Sequence, residues 1–145
     1  MSTNYASTPL RGIRALHYFL HGAASLALAA ALVNHFVLTS FQVEGHSMDI
    51  TMHNKQLLAV DLVRYRFAPP KLNDIVILAY AGDQSVHFVK RIIGTPNQSV
   101  TVDGTTWQLG PDQYFVAGDN RSHSTDSRTY GPIGGNQIIG KVLGH

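Results

Sequence analysis

The chain has 145 residues, no cysteine, 11 Lys plus Arg against 9 Asp plus Glu, and 44% hydrophobic residues. One domain of ordinary size fits this length, and the lack of cysteine excludes thiol nucleophiles, disulfide scaffolds and thiolate zinc sites. A net charge of +2 with no basic run argues against a nucleic-acid partner, while 14% charged residues, against about 25% in an average soluble domain, point to a segment outside water.

From Ala15 to Val43 there is no Asp, Glu, Lys or Arg, and His17 to Leu38 is long enough as a helix to cross a hydrocarbon layer of ~30 Å. Arg11 and Arg14 precede the run and Glu44 and Asp49 follow it, so the positive-inside rule places the amino end in the cytoplasm. The expected organisation is a cytoplasmic tail over 1–14, a transmembrane anchor over 15–39 and an extracytoplasmic β-rich domain over 40–145. A cleaved secretory signal is the competing reading, but the apolar run continues to Phe36-Val-Leu38, beyond the ~7–15 residues of a signal core. His17 and His21 share an i, i+4 face that could hold a metal, yet without a third ligand they read as interfacial, as do Asn34 and His35 near the outer end.

Beyond residue 40 the apolar period becomes two, the mark of strands. Strands are expected over Phe41–Glu44, Gln56–Val63, Asp74–Tyr80, Val86–Gly94, Val100–Val102 with Thr105–Leu109, Tyr114–Ala117 and Gln137–Val142. Asp103-Gly104 predicts a two-residue hairpin, Gly82-Asp83 another turn, and Pro69-Pro70 a break. The fold class that follows is mostly β: an antiparallel, barrel-like domain preceded by one N-terminal transmembrane helix.

Three segments of this domain carry reactive residue types. Val43-Glu-Gly-His-Ser47-Met48 sets a serine after a short strand, although Asp49 stands where an α/β-hydrolase elbow would need glycine. A serine needs a base to attack. In Val86-His-Phe88-Val-Lys90-Arg-Ile92, strand alternation puts Lys90 in a row with Val86, Phe88 and Ile92, while Arg91 points to the other side. Desolvation in such a row lowers a lysine pKa, and a shift of roughly two to three units makes a usable base. The third segment, Gly118-Asp-Asn-Arg-Ser-His123-Ser124-Thr-Asp126-Ser-Arg128, is too polar after the apolar strand 114–117 for a plain turn. Asp126 and Arg128 are placed to pair and fix the loop.

Together these residues resemble the type I signal peptidases, membrane-anchored serine proteases of family S26 with a Ser-Lys dyad. Gly45-His-Ser47-Met48 is similar to the nucleophile box, Leu72-Asn-Asp74-Ile-Val76 to the buried strand box and Lys90-Arg-Ile-Ile-Gly94-Thr-Pro96 to the base box. Gly118 through Ser124, with Asp126-Ser-Arg128 and Gly131, resembles the final box. The resemblance implies Ser47 as nucleophile, Lys90 as general base, Ser124 as the residue orienting Lys90, and Asp119, Asp126 and Arg128 as loop support. It also implies an oxyanion hole at the Ser47 backbone N–H, where some members add a hydroxyl at the position of Gly45. Shallow pockets for small residues would be lined by Phe41, Val43 and Phe88. No metal or cofactor is implied. The partners implied are pre-protein signal peptides and the lipid bilayer, and the place a bacterial plasma membrane, crossed once. Ile50 departs from the family's usual proline, and Gly45 lacks the side-chain donor.

Three rivals make different demands. A Ser-His-Asp hydrolase would use Ser47 with His87 or His123 and Asp119 or Asp126. Self-cleaving repressors share a Ser-Met and lysine pair but carry a DNA-binding segment where this chain has its apolar run. A specialised or inactive membrane-tethered module of the same kind would bind exported proteins such as pilins.

Overall fold

The computed structural model describes residues 10–80 and 83–144. The chain divides into two compact units, one ending at Phe36 and the other running from Val37.

Among the described residues the first unit is one helix, α1 (Leu10–Val37), whose last residue is counted with the second unit. Alanine and leucine dominate its centre and no proline interrupts it, so the backbone has no competitor to helix. Residues 12–31 are all exposed, including Leu16, Phe19, Leu26 and Leu28. Among the described residues no helix is long and apolar enough to cross a membrane. The helix expected over 15–39 runs instead from Leu10 to Val37, and its apolar run is interrupted. His17, Tyr18, His21, Gly22 and Ser25 dilute the apolar run, and residues 38–39 already belong to the next strand.

The second unit is antiparallel β. Its strands are β1 (Leu38–Gln42), β2 (Leu57–Asp61), β3 (Ile75–Tyr80), β4 (Asp83–Gly94), β5 (Ser99–Val102), β6 (Thr105–Gln108), β7 (Gln113–Ala117), β8 (Ile133–Gly134) and β9 (Ile138–Val142), with a one-turn helix α2 (Ser127–Tyr130). Seven of them form one sheet in the order β1-β2-β9-β3-β4-β7-β8, and β5-β6 is a separate hairpin. Asp103 and Gly104 both take positive φ, 50° and 78°, as the predicted two-residue turn requires. Gly82 of the other predicted turn lies outside the described residues, and Asp83 begins β4.

The sheet does not close, which corrects the barrel-like expectation: β1 and the two-residue β8 stand at its ends. Closure needs a continuous stagger of paired strands all the way round, and two residues offer almost none. A further gap opens along β4, whose residues 87–91 pair with β3 while β7 takes only Arg91, Ile92 and Gly94 on the other side.

Alternation along β3 and β4 divides the core. Ile75 and Ile77 pack with Val43, Met48, Met52, Leu58 and Val60 on one face, and Val76, Leu78 and Ile92 pack with Tyr114, Val116 and Ile133 on the other. Phe115, Val100 and Leu109 hold the hairpin down in a third cluster. Burying an aliphatic side chain of this size stabilises by about 1.5–3 kcal/mol, so the two faces of β3 and β4 fix their register rigidly.

Candidate active site

Ser47 stands on a turn that the core holds from below. The β1 pairing continues one residue past the strand, with Val43 N–H donating to the Gln56 carbonyl at 2.9 Å and Lys55 N–H to the Val43 carbonyl at 2.7 Å. Gly45 then takes φ +95°, a region costly for any side chain, and the chain reverses. Thr51 and Met52 N–H groups return to the Met48 carbonyl at 2.8 and 2.7 Å, while the Met48 and Met52 side chains are buried in the first core cluster. Buried residues one and five positions beyond the serine leave its half-exposed hydroxyl little freedom.

Lys90 sits in the middle of β4 opposite Val76 and is only 3% exposed. Its Nζ donates to Ser47 Oγ at 2.8 Å and lies 5.8 Å from the centroid of the Phe88 ring. Burial lowers its pKa, and the charge of Asp126 opposes that shift without reversing it. A lysine so depressed is more readily neutral, and a neutral amine at this distance can accept a hydroxyl proton.

The loop after β7 binds both elements together. Asp119 takes a two-pronged contact from Arg91, Nε to Oδ1 at 2.8 Å and Nη2 to Oδ2 at 2.7 Å, and also accepts the Thr51 hydroxyl. Thus the residue after Lys90 and the turn after Ser47 share one carboxylate. Burial would raise the Asp119 pKa, but the Arg91 and Thr51 hydrogen bonds hold it below the usual range. Asn120 adds two contacts: its N–H donates to the Ser47 carbonyl at 2.9 Å, and its Nδ2 to the His46 carbonyl at 3.0 Å. Gly118 between them admits no side chain, since a Cβ there would come within 2.3 Å of Ser124 Oγ and 2.6 Å of the Ser47 carbonyl.

Asp126, wholly buried, anchors the far side of this loop. It caps α2 through the Arg128 N–H, receives Arg128 Nε at 2.8 Å and Nη2 at 3.0 Å, and accepts the Gly118 N–H at 2.9 Å. Desolvation pushes its pKa up, but the Arg128 guanidinium and the Gly118 N–H outweigh it and bring it to about 2. Arg128 Nη2 also binds the Arg121 carbonyl at 2.7 Å. The pairing expected of Asp126 and Arg128 is thus present.

Ser124 lies against Gly118, but its buried Oγ makes no hydrogen bond within standard geometry among the described residues, to Lys90 or otherwise. The Ser47 N–H likewise has no acceptor there, while the Gly45 N–H is taken by Asn54 Oδ1 at 3.2 Å. Phe41, Val43 and Phe88 line a groove of 340 Å³ together with Ser47, Met48 and Lys90. Among the described residues no histidine bonds Ser47. The His123 ring contacts Ser122 and Asn120, that of His87 packs on Phe41 at 5.4 Å, and that of His46 binds Asp49 at 2.7 Å. His17 and His21 rings lie 4.0 Å apart, and the described residues contain no group of three or more metal-binding side chains. Arg91, Asn120 and Thr51 went unnoticed as site residues. Arg91 and Thr51 are single polar residues beside more conspicuous neighbours, and their shared partner is 28 and 68 positions away. Their signal was position, each within four residues of Lys90 or Ser47, and for Arg91 its place inside the base box.

Comparison with known proteins bears on the same residues. The model of the family described as "Signal peptidase, peptidase S26" matches residues 16–110 and 101–144. The chain is 37% identical over 125 residues to mitochondrial inner membrane protease subunit 1 of Schizosaccharomyces pombe, covering 79% of this chain and 78% of that one. It is 33% identical to a probable signal peptidase I-1 of Synechocystis, covering 79% and 74%, and 33% identical to a signal peptidase I of Bacillus amyloliquefaciens, covering 81% and 79%.

Proposed function

The chain belongs to the signal peptidases of peptidase family S26 and is a serine peptidase, and from that premise we propose that it cuts exported precursors after Ala-x-Ala-type sites by a Ser47–Lys90 dyad. The observation that carries the dyad is the 2.8 Å contact between Lys90 Nζ and Ser47 Oγ at a lysine only 3% exposed. Neutral Lys90 takes the Ser47 proton as the hydroxyl attacks the scissile carbonyl, and the ammonium so formed protonates the leaving amine. An ester to Ser47 remains, and water deprotonated by the same lysine hydrolyses it. The unengaged Ser47 N–H is the donor for the oxyanion. The buried Ser124 hydroxyl, costly to leave without a partner, is the group that orients Lys90 as it gains charge.

The groove also supports an extended substrate. Along it run β1, an edge strand, and the half of β4 that β7 leaves unpaired, and their side chains meet at Phe41 and His87. A peptide laid between them completes the backbone hydrogen bonds of both edges. The residues next before the cut then alternate, the first and third facing the apolar wall of Phe41, Val43 and Phe88, where small side chains fit.

The proposal includes attachment to a bacterial plasma membrane by α1, amino end in the cytoplasm. What supports it is the lack of Asp, Glu, Lys and Arg from Ala15 to Val43 and the large apolar side chains exposed on that helix, Leu16, Phe19, Leu26 and Leu28 among them, which an apolar surrounding would cover. One experiment tests both parts: membranes holding the full chain are washed with alkaline carbonate, extracted with detergent, and assayed on a precursor with an Ala-x-Ala site. The chain should stay with the membranes until detergent is added. Ser47→Ala and Lys90→Ala should lose cleavage, and His123→Ala should keep it. An active Lys90→Ala with a dead His123→Ala would instead favour a triad hydrolase, and release by carbonate would remove the anchor.

A further inference from the structure

The groove beside Ser47 mixes apolar side chains with polar ones, and among the described residues lining it Glu44 is the one carboxylate. Glu44 is exposed and makes no hydrogen bond or ion pair among the described residues, whereas nearby Asp49 is already bound to His46. The strand-like pairing of Val43 with Lys55 and Gln56 keeps the chain extended there, and Val43 is buried. By alternation Glu44 presents its side chain to the opposite, solvent face. On that face an inserted substrate strand places its second and fourth residues before the cut, the ones the apolar pockets do not read.

We infer that Glu44 is a specificity-determining residue, favouring precursors with Lys or Arg at the second or fourth position before the cut over those with Asp or Glu. This rests on the peptidase reading above. A solvent-exposed charge contact of this kind is modest, so the expected preference is about three- to fivefold in kcat/KM. It should fade in high salt, since exposed charges are screened.

The test uses the detergent-solubilised full chain and precursor peptides identical except for Lys, Ala or Glu at each of those two positions. At one of them the order of kcat/KM should be Lys above Ala above Glu at low salt, collapsing at about 0.5 M salt. Glu44→Gln should flatten the order and Glu44→Lys invert it. A flat order for the native chain, or one that survives both substitutions, would overturn the assignment while leaving the peptidase intact. Failure of the native chain to cut any of these peptides would defeat the peptidase reading itself, and this inference with it.

Discussion

A buried lysine is a cost to the fold, and at Lys90 the sign of that cost can be read against pH. Its pKa lies below the ordinary value of 10.5 because burial penalises the ammonium. Between the folded and unfolded values the unfolded chain holds more protons, so stability rises with pH through that window and is lowest below the folded value. Activity should follow the same group, because only neutral Lys90 accepts the Ser47 proton: the acid limb of kcat/KM should titrate with it. Lys90→Met should therefore be inactive yet more stable than the native chain at neutral pH, by about 1–2 kcal/mol. That gain should shrink as the pH approaches 10.5, which thermal unfolding across a pH series would measure. A variant no more stable at neutral pH would mean that Lys90 carries no such penalty.

The elements are held in register by polar contacts as much as by packing, and Asp119 is the clearest case. It reaches β4 through Arg91 and the nucleophile turn through Thr51, so one carboxylate ties the strand of Lys90 to the turn of Ser47. Arg91→Lys keeps the charge but cannot reproduce the planar two-pronged contact. It should lower kcat by about 10- to 100-fold, as small displacements of reacting groups do, while costing about 1–2 kcal/mol in stability. Asp119→Asn should behave alike, and the double variant should lose little more than either, which a double-mutant cycle on kcat would show. Additive losses would mean that the two residues act separately. This clamp was invisible in the sequence because nothing in a strand's alternation says which distant loop its outer face meets. The Asp126–Arg128 pair was legible because an acid and a base stand two residues apart, whereas a serine at a glycine turn and a lysine in an apolar row are weak signals singly, and only the resemblance to a family joins Ser47 to Lys90.

At the scale of the whole molecule, the strands were legible wherever apolar and polar residues alternate, and β8 was missed because Ile133-Gly134, between Pro132 and Gly135, is too short to alternate. The closed barrel was a misreading of the same kind, since strand content says nothing of whether the last strand returns to the first. The α1 run was recognised as a helix, but how apolar it is turns on His17, Tyr18 and His21, which a count of charged residues passes over. The opening beside β4 has its own kinetic consequence. If a substrate's amino-terminal side completes the two strand edges, the fragment left after hydrolysis retains the same backbone pairing, because the broken bond lies at its end. Departure of that fragment, rather than bond breaking, would then set the turnover rate. A rapid-quench time course should show a first turnover faster than those that follow, and added cleaved signal peptide should compete with intact precursor. A linear course with no such competition would mean that the sheet releases its guest as easily as it admits it.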